Sequence, residues 1–227
     1  MQICSRKNPP KAKVVDLGGR TLIPGLIDSH AHGAQAEEGL TPQQNWTHFA
    51  GLALGVTTIF DPAPVSIELF AAAELRRVGA ITAPRIFGTG TVLYGPRRDF
   101  TAVIEKYEDA LKQLRRRRAV GATSIKSYLH PRREQRQMIV AAARELGMMV
   151  NAEQSMGTIN VMAQVADGST SIEHNFPAVN VYGDVLQFWG RTGVDNVPTL
   201  VVQLNGVFGE HYWYGKSEVW RHPLLSR

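Results

Sequence analysis

The segment TLIPGLIDSHAHG, residues 21–33, decides the fold and carries three polar side chains at alternating positions. Asp28, His30 and His32 follow an apolar run that contains a Pro-Gly pair. Because alternate residues of a β-strand point to one face, this spacing brings a carboxylate and two imidazoles to the same side. The segment therefore predicts a strand that ends in a metal pocket, with a surface turn carrying two histidines as the alternative.

Beyond this segment, short apolar runs alternate with amphipathic ones, which is typical of parallel strands joined by crossover helices. A glycine follows each amphipathic run, as expected where a helix ends in a left-handed residue. These glycines are Gly55, Gly79, Gly121, Gly147, Gly168 and Gly193. The predicted strands are 22–32, 55–62, 83–90, 122–129, 147–153, 168–175 and 195–202, and the predicted helices are 42–54, 66–78, 101–120, 132–146, 158–166 and 181–191.

About seven β/α units indicate an α/β fold, a (β/α)8 TIM-type barrel that is incomplete at the C-terminus. A full barrel takes about 250 residues, so we expect its last helix, strand and helix to be missing from the 227 residues. Functional groups of such barrels lie at the carboxyl ends of the strands. The titratable side chains predicted there are Asp28, His30, His32, Asp61, Lys126, Glu153, Glu173 and His174.

Several of these side chains keep two interpretations. Two imidazoles at positions i and i+2 can bind zinc at about 2.0 to 2.1 Å, while Asp28 either holds an imidazole nitrogen or supports the strand end. His174 alone would suit a core histidine that donates to a carbonyl, but its place at a strand end favours a ligand. A buried Lys126 must have its charge neutralised or be chemically modified.

Composition narrows the classes of protein. The hydrophobic content of 44% supports a buried core, and Cys4, as the single cysteine, excludes an internal disulfide. No apolar run reaches the roughly 20 residues of a membrane span, and the first residues lack the apolar core of a signal peptide. The net charge of +5 comes largely from arginines 115–118 and from Arg132, Arg133 and Arg136. We interpret the first run as a solvated helix end rather than a site for an anionic partner, and without interleaved aromatics we predict no nucleic-acid partner.

Six stretches resemble a known family: VVDLGGRTLIPGLIDSHAH, LALGVTTIFDP, RIFGTGTVLYG, IKSYLHPRREQRQMIVAAARELGMMVNAE, GSTSIEHN and PTLVVQLNGVFGE. Together they are similar to the amidohydrolase superfamily, in its imidazolonepropionase-like and prolidase-like branch, within a subgroup often fused to a β-propeller. The resemblance covers nearly the whole chain from Val14 onward. It admits the cytoplasm or the periplasm, so the compartment stays undetermined.

The resemblance implies a ligand set for one or two Zn²⁺ ions. His30 and His32 match ligands of the more buried metal, and Lys126 matches a lysine that carbon dioxide converts to a metal-bridging carbamate. His174 matches the ligand of the sixth strand. Glu153 stands where most members have a histidine, so it is either a ligand, since carboxylates also bind zinc, or a carboxylate that faces a ligand or the substrate.

The implied activity is metal-dependent hydrolysis of a carbon–nitrogen bond in a small amide, dipeptide-like or cyclic amide substrate. Tyr128 either donates a hydrogen bond to the oxyanion or is a packed aromatic. The alternative is a truncated barrel that binds metal weakly and is inactive, because the strand-eight aspartate that serves as general base is missing. We assign residues 1–20 to the remnant of an N-terminal β-sandwich and 21–227 to the barrel. Unpaired strand edges favour a homo-oligomer, and no membrane partner is predicted.

Overall fold

Parallel strands and helices alternate along the part of the chain that the structure, a computed structural model, describes: residues 15–95, 102–129, 131–155, 157–177, 180–199, and positions 216, 218, 221 and 223. The strands are β1 (Leu26–Asp28), β2 (Val56–Asp61), β3 (Arg85–Gly88), β4 (Ser124–Ser127), β5 (Met149–Glu153), β6 (Ser171–Glu173) and β7 (Asp195–Val197). The helices are α1 (Trp46–Ala53), α2 (Ser66–Arg77), α3 (Tyr107–Ala119), α4 (Arg133–Leu146), α5 (Thr158–Ala166) and α6 (Gly183–Thr192).

The strands form two parallel sheets in chain order, β1-β2-β3 and β4-β5-β6-β7. Residues after β3 connect the sheets, because the Leu93 amide donates to the Lys126 carbonyl and the Tyr128 amide donates to the Leu93 carbonyl. Sequential parallel strands with intervening helices confirm the predicted partial TIM-type barrel. Among the described strands, β1 and β7 do not pair with each other, so the ring is not closed.

Each predicted strand and helix overlaps an observed element, and the first six strands are shorter than predicted, while residues 200–202 of the predicted seventh strand lie outside the described part of the chain. The first was predicted over 22–32, whereas β1 ends at Asp28, so placing His30 and His32 within the strand was wrong. Regular pairing stops where Asp28 lies opposite Ile59, and the Asp28 carboxylate then accepts the His30 amide at 3.0 Å. The two histidines therefore lie in the turn that follows β1.

The described core lies between the sheets and the helices that cover them. Ile125 and Val150 on adjacent strands pack with Ile139 of α4 in the largest cluster, and all three side chains are at most 2% exposed. Helix α4 ends at Gly147, where φ is 63°, a left-handed conformation that glycine adopts without steric cost. The strands that carry the polar residues are thus held by apolar packing on their helical side.

The arginine run at the end of α3 is only partly the solvated surface predicted. Arg117 is 9% exposed, and its guanidinium donates to the carbonyls of Thr91 and Gln113 at 2.8 and 3.1 Å. Burial, with the nearby charge of Arg116, lowers the pKa of Arg117 to about 10. The prediction was wrong for this residue because its side chain folds back onto the protein to bind carbonyl groups.

The N-terminal domain assignment stays a prediction. Residues 1–14 lie outside the described part of the chain. Residues 15–20 are described and contain a turn. The described helices include none with the length and apolarity that a membrane crossing requires.

Candidate metal centre

The two histidines of the opening segment face each other after β1. Their Nε2 atoms are 3.1 Å apart, and the ring centroids are separated by 4.9 Å. The His30 side chain is 6% exposed and that of His32 is 56% exposed. The predicted convergence of the two imidazoles is therefore present, although a turn and not a strand provides it.

The Nδ1 atom of each imidazole contacts a carboxylate at the end of another strand. Glu173, at the end of β6, contacts His30 Nδ1 at 2.5 Å, and Asp61, at the end of β2, contacts His32 Nδ1 at 3.1 Å. An ionised carboxylate can only accept a hydrogen bond, so both Nδ1 atoms act as donors. In neutral imidazoles this leaves the lone pairs on the two Nε2 atoms, which point at each other.

This donor arrangement fits a metal ion. Two facing lone pairs need a positive charge between them, either a proton or a cation. With metal–nitrogen distances of about 2.0 to 2.1 Å, two ligands of a tetrahedral zinc are about 3.3 to 3.4 Å apart, close to the Nε2 separation of 3.1 Å. A carboxylate on the far nitrogen is the usual support of a metal-binding histidine. His30 and His32 are thus suited to supply two ligands.

A complete ligand set is not assembled. Within the described ranges, no group of three or more His, Cys, Asp and Glu side chains could hold a metal ion. The structure brings two nitrogens together and leaves the other predicted ligands, Lys126, Glu153 and His174, in a neighbouring cluster.

In that cluster one carboxylate contacts both an amino group and an imidazole. Lys126 on β4 is 1% exposed and contacts Glu153 Oε2, while Glu153 Oε1 lies 3.1 Å from His174 Nε2. Burial acts to raise the pKa of Glu153, but the hydrogen bond from His174 and the ammonium of Lys126 outweigh it and lower the pKa to about 2. The contact with Glu153 gives Lys126 an acidic partner, and carboxylation of this lysine stays a prediction.

His174 connects the cluster to the histidine pair. Its ring centroid is 4.7 Å from that of His30, and its Nδ1 is 2.7 Å from Thr199 Oγ1. The backbone of His174 has φ of 147°, which non-glycine residues rarely adopt. The Asn196 side chain holds this conformation by donating to the His174 carbonyl at 2.6 Å. Such strain is typical of functional residues, so it supports a role for the side chain beyond core packing.

Sequence reasoning named Glu173 and Asp61 as strand-end groups but gave them no function. Glu173 is fully buried and accepts hydrogen bonds from Ser171 at 2.6 Å and Asn151 at 3.0 Å, besides the one from His30. Burial acts to raise its pKa, but the bonds from His30, Ser171 and Asn151 reverse the effect and lower it. The hydrogen bond to Asp61 raises the pKa of His32. Both carboxylates therefore position the imidazoles.

The other two predicted residues lie at the margin of the site. Tyr128 follows β4, with its ring 5.2 Å from that of Tyr94, and burial and the negative charge of Glu153 raise its pKa. Asp28 is exposed and binds the His30 amide, so it supports the strand end and does not hold an imidazole nitrogen.

A cavity of about 420 Å³ opens beside His32. Its wall includes Asp61, Gln35 and the turn after β2, and it reaches Glu68 in the first turn of α2. The cavity gives a small molecule access to the exposed imidazole.

The fold is similar to that of several solved hydrolase structures, each matched over part of its own length. An amidohydrolase structure superposes with a TM-score of 0.68 and 22% identity over 87% of this chain and 58% of its own. For a Xaa-Pro dipeptidase with bound methionine, the TM-score is 0.62 with 20% identity over 78% of this chain and 53% of its own. The ochratoxinase of A. niger superposes with a TM-score of 0.61 and 19% identity, over 79% of this chain and 53% of its own.

These likenesses confirm the predicted fold resemblance. The chain spans 53% to 58% of the length of these three structures. The sequence matches no protein-family model and no curated protein.

Proposed function

We propose that the protein is a metal-dependent hydrolase of carbon–nitrogen bonds, with zinc bound by His30 and His32. The observation that carries the proposal is the pair of Nε2 atoms facing each other at 3.1 Å while both Nδ1 atoms donate to carboxylates. If His30 and His32 only filled the core, there would be no reason for the Nε2 lone pair of one to face that of the other. The fold shared with an amidohydrolase and a Xaa-Pro dipeptidase supports the reaction class.

The remaining ligands in this proposal come from the neighbouring cluster. Glu153 and His174 lie within one hydrogen bond of each other, and the His174 ring is adjacent to that of His30. Lys126 would join them as the carbamate, in which case its carbamate oxygens replace the ammonium as the group facing the metal. One metal ion would be held by part of this set, and two would need all of it.

The chain's own groups would bind and orient the substrate. A bound metal polarises the substrate carbonyl and lowers the pKa of its bound water toward 7. Glu173 and Asp61 keep the Nε2 lone pairs of His30 and His32 directed at one point. Tyr128, whose pKa burial and the charge of Glu153 raise, would donate a hydrogen bond from its phenol to the developing oxyanion.

Metal content is the direct test. Elemental mass spectrometry of the purified protein should find about one or two equivalents of zinc. The double variant His30→Ala/His32→Ala should lose this zinc. Asp28→Asn is the matched control within the same segment, because its side chain accepts a hydrogen bond from the His30 amide and asparagine keeps that acceptor. Full retention of zinc by the double variant, with native circular dichroism, would show that a proton and not a metal separates the imidazoles.

Turnover separates hydrolysis from metal binding alone. N-acylated amino acids, dipeptides and cyclic amides should be screened with the zinc-loaded protein, with release of the amine as the readout. Weak zinc binding without turnover would support the truncated, inactive barrel instead.

A further inference from the structure

Three buried polar side chains lie beside the turn that carries His32, and the proposed function uses none of them. They are Gln35, Asn45 and His48, which are 4%, 8% and 2% exposed. Burying a polar group costs free energy unless it is hydrogen-bonded, so each of these side chains calls for a structural reason. Their hydrogen bonds lead to the segment that directly follows His32.

Gln35 connects His48 of α1 to the backbone beside His32. Its Nε2 donates to the Gly33 carbonyl at 3.2 Å, and its Oε1 lies 2.9 Å from His48 Nε2. Because an amide oxygen can only accept, His48 Nε2 carries a proton and donates it. His48 Nδ1 is buried and has no hydrogen-bond partner among the described residues. The bond to Gln35 is therefore what a histidine at position 48 supplies and an apolar residue could not.

His32 needs support from its backbone. Strand β1 ends at Asp28, so regular strand pairing does not hold His32, and its side chain is 56% exposed, so core packing does not hold it either. The Ala31 amide donates to the Phe60 carbonyl at 2.9 Å and fixes the backbone before His32. The hydrogen bond from Gln35 acts on the other side, at the residue directly after His32.

Asn45 has a simpler explanation that Gln35 and His48 do not share. It precedes α1, and its Oδ1 accepts a hydrogen bond from the Thr47 amide at 3.0 Å, as an N-cap residue does. Its Nδ2 also donates to the Ala34 carbonyl at 2.7 Å. A substitution of Asn45 would therefore disturb the helix and the segment together. The bond between Gln35 and His48 joins two side chains and caps no helix, so it can be removed by itself.

We propose that Gln35 and His48 are positioning residues of the candidate metal centre, which hold the backbone after His32 so that its imidazole faces that of His30. This inference rests on the proposed function, because it assigns their contact a role in zinc binding. Without the donor on His48, the buried Gln35 oxygen would be unpaired, and the side chain would turn toward water and release the Gly33 carbonyl. We expect zinc affinity to fall about 3- to 10-fold, less than the roughly 10- to 100-fold typical of a group that contacts a metal-binding histidine directly.

The experiment compares two substitutions of His48. His48→Leu removes the donor, whereas His48→Gln places an amide nitrogen near the position of imidazole Nε2 and retains it. Competition with a chromophoric chelator should give His48→Leu a zinc affinity about 3- to 10-fold lower, with His48→Gln within about twofold of the unchanged protein. Gln35→Met breaks the same bond from the side of the turn and should show the same loss, which keeps the test decisive if His48→Leu does not fold.

Leu114→Ala separates positioning from stability. Leu114 is fully buried in the core cluster beside α3, and alanine there removes apolar packing without removing a hydrogen bond. This variant should lower the melting temperature and leave the zinc affinity unchanged. An equal loss of zinc affinity in Leu114→Ala would overturn the inference, because the effect would then follow stability alone.

The outcomes distinguish this inference from the proposed function. Zinc affinities for folded His48→Leu and Gln35→Met that match the unchanged protein would overturn the positioning role and leave the hydrolase proposal standing. If the unchanged protein binds no zinc, the proposed function fails, and proton–nitrogen NMR of the His32 ring in the metal-free protein tests the inference instead. His48→Gln should keep the His32 proton on Nδ1, where Asp61 accepts it, and His48→Leu should lose this preference. Identical His32 nitrogen shifts in the two variants would refute the positioning role.

Discussion

Glu173→Gln is the sharpest perturbation of the candidate metal centre, because it changes one atom of a buried carboxylate. The Oε1 position accepts hydrogen bonds from Ser171 and Asn151, so the glutamine oxygen should occupy it. The amide nitrogen then faces His30 Nδ1 as a donor. To accept that bond, His30 must move its proton to Nε2, the atom that faces His32. The variant therefore replaces a metal-binding lone pair with an N–H group.

The magnitude follows from what the carboxylate holds. Removing a carboxylate that supports a metal-binding histidine typically weakens metal affinity about 10- to 100-fold, equivalent to about 1.4 to 2.7 kcal/mol. The metal-free protein should lose less, about 1 kcal/mol of unfolding free energy, because a charge-assisted hydrogen bond becomes a neutral one while all three bonds remain. The effect on metal binding should thus exceed the effect on stability.

Competition with a chromophoric chelator measures the zinc affinity, and urea unfolding of the chelator-treated protein measures the stability. Glu145→Gln is the control, since it changes a surface carboxylate that binds Tyr107 and Arg115. Both of its values should match those of the unchanged protein. Zinc affinity within twofold of the unchanged protein for folded Glu173→Gln would refute the argument that this carboxylate sets the metal-facing nitrogen.

Two further substitutions test the buried residues around the site, one at His48 and one at Gly88. Burial lowers the pKa of His48, so the unfolded chain binds more protons than the folded one below about pH 6.5. Urea unfolding should therefore show that the free energy of unfolding decreases as the pH is lowered from 6.5 to the lowered pKa of His48. This group contributes at most about 1.4 kcal/mol per pH unit. If His48→Gln showed the same dependence of stability on pH as the unchanged protein, the prediction would be wrong. A Cβ on Gly88 would lie 2.5 Å from the Asp61 carbonyl oxygen, whereas one on Gly157 would meet nothing within 4 Å. Gly88→Ala should lower both the melting temperature and the zinc affinity, and equal behaviour of the two alanine variants would exclude this close contact.

The order of elements was predictable because it depends on local patterns. Helices ending at glycine and apolar strands of the right length were visible in the sequence, and α5 has the predicted bounds. The strand-end rule also placed Asp61, Glu153 and Glu173 at the ends of β2, β5 and β6, where the structure has them, while His30, His32 and His174 lie beyond the strand ends. The short length of β1 was not predictable. It depends on where pairing with β2 stops and on the hydrogen bond that the Asp28 carboxylate accepts from the His30 amide.

The partners of the histidines belong to tertiary structure. His30 and Glu173 are 143 positions apart, and nothing local in either segment specifies their contact. Glu173 ends β6 and His30 lies in the turn after β1, so the fold could have indicated Glu173 once the barrel was assumed. The burial of Arg117 was missed for a related reason, because a charge run gives no sign that one of its members will bind two carbonyl groups of the chain.

The charge balance around Glu153 links carboxylation of Lys126 to metal binding. In the structure one carboxylate is shared by a buried ammonium and an imidazole, so the cluster is neutralised without any added group. Converting Lys126 to a carbamate would place a second negative group beside Glu153 in a buried region, which is costly unless a cation is bound there. Carbon-13 NMR of protein equilibrated with labelled bicarbonate should therefore show a carbamate signal only when zinc is present. A signal of equal strength in the metal-free protein would mean that Glu153 does not hold the ammonium in place.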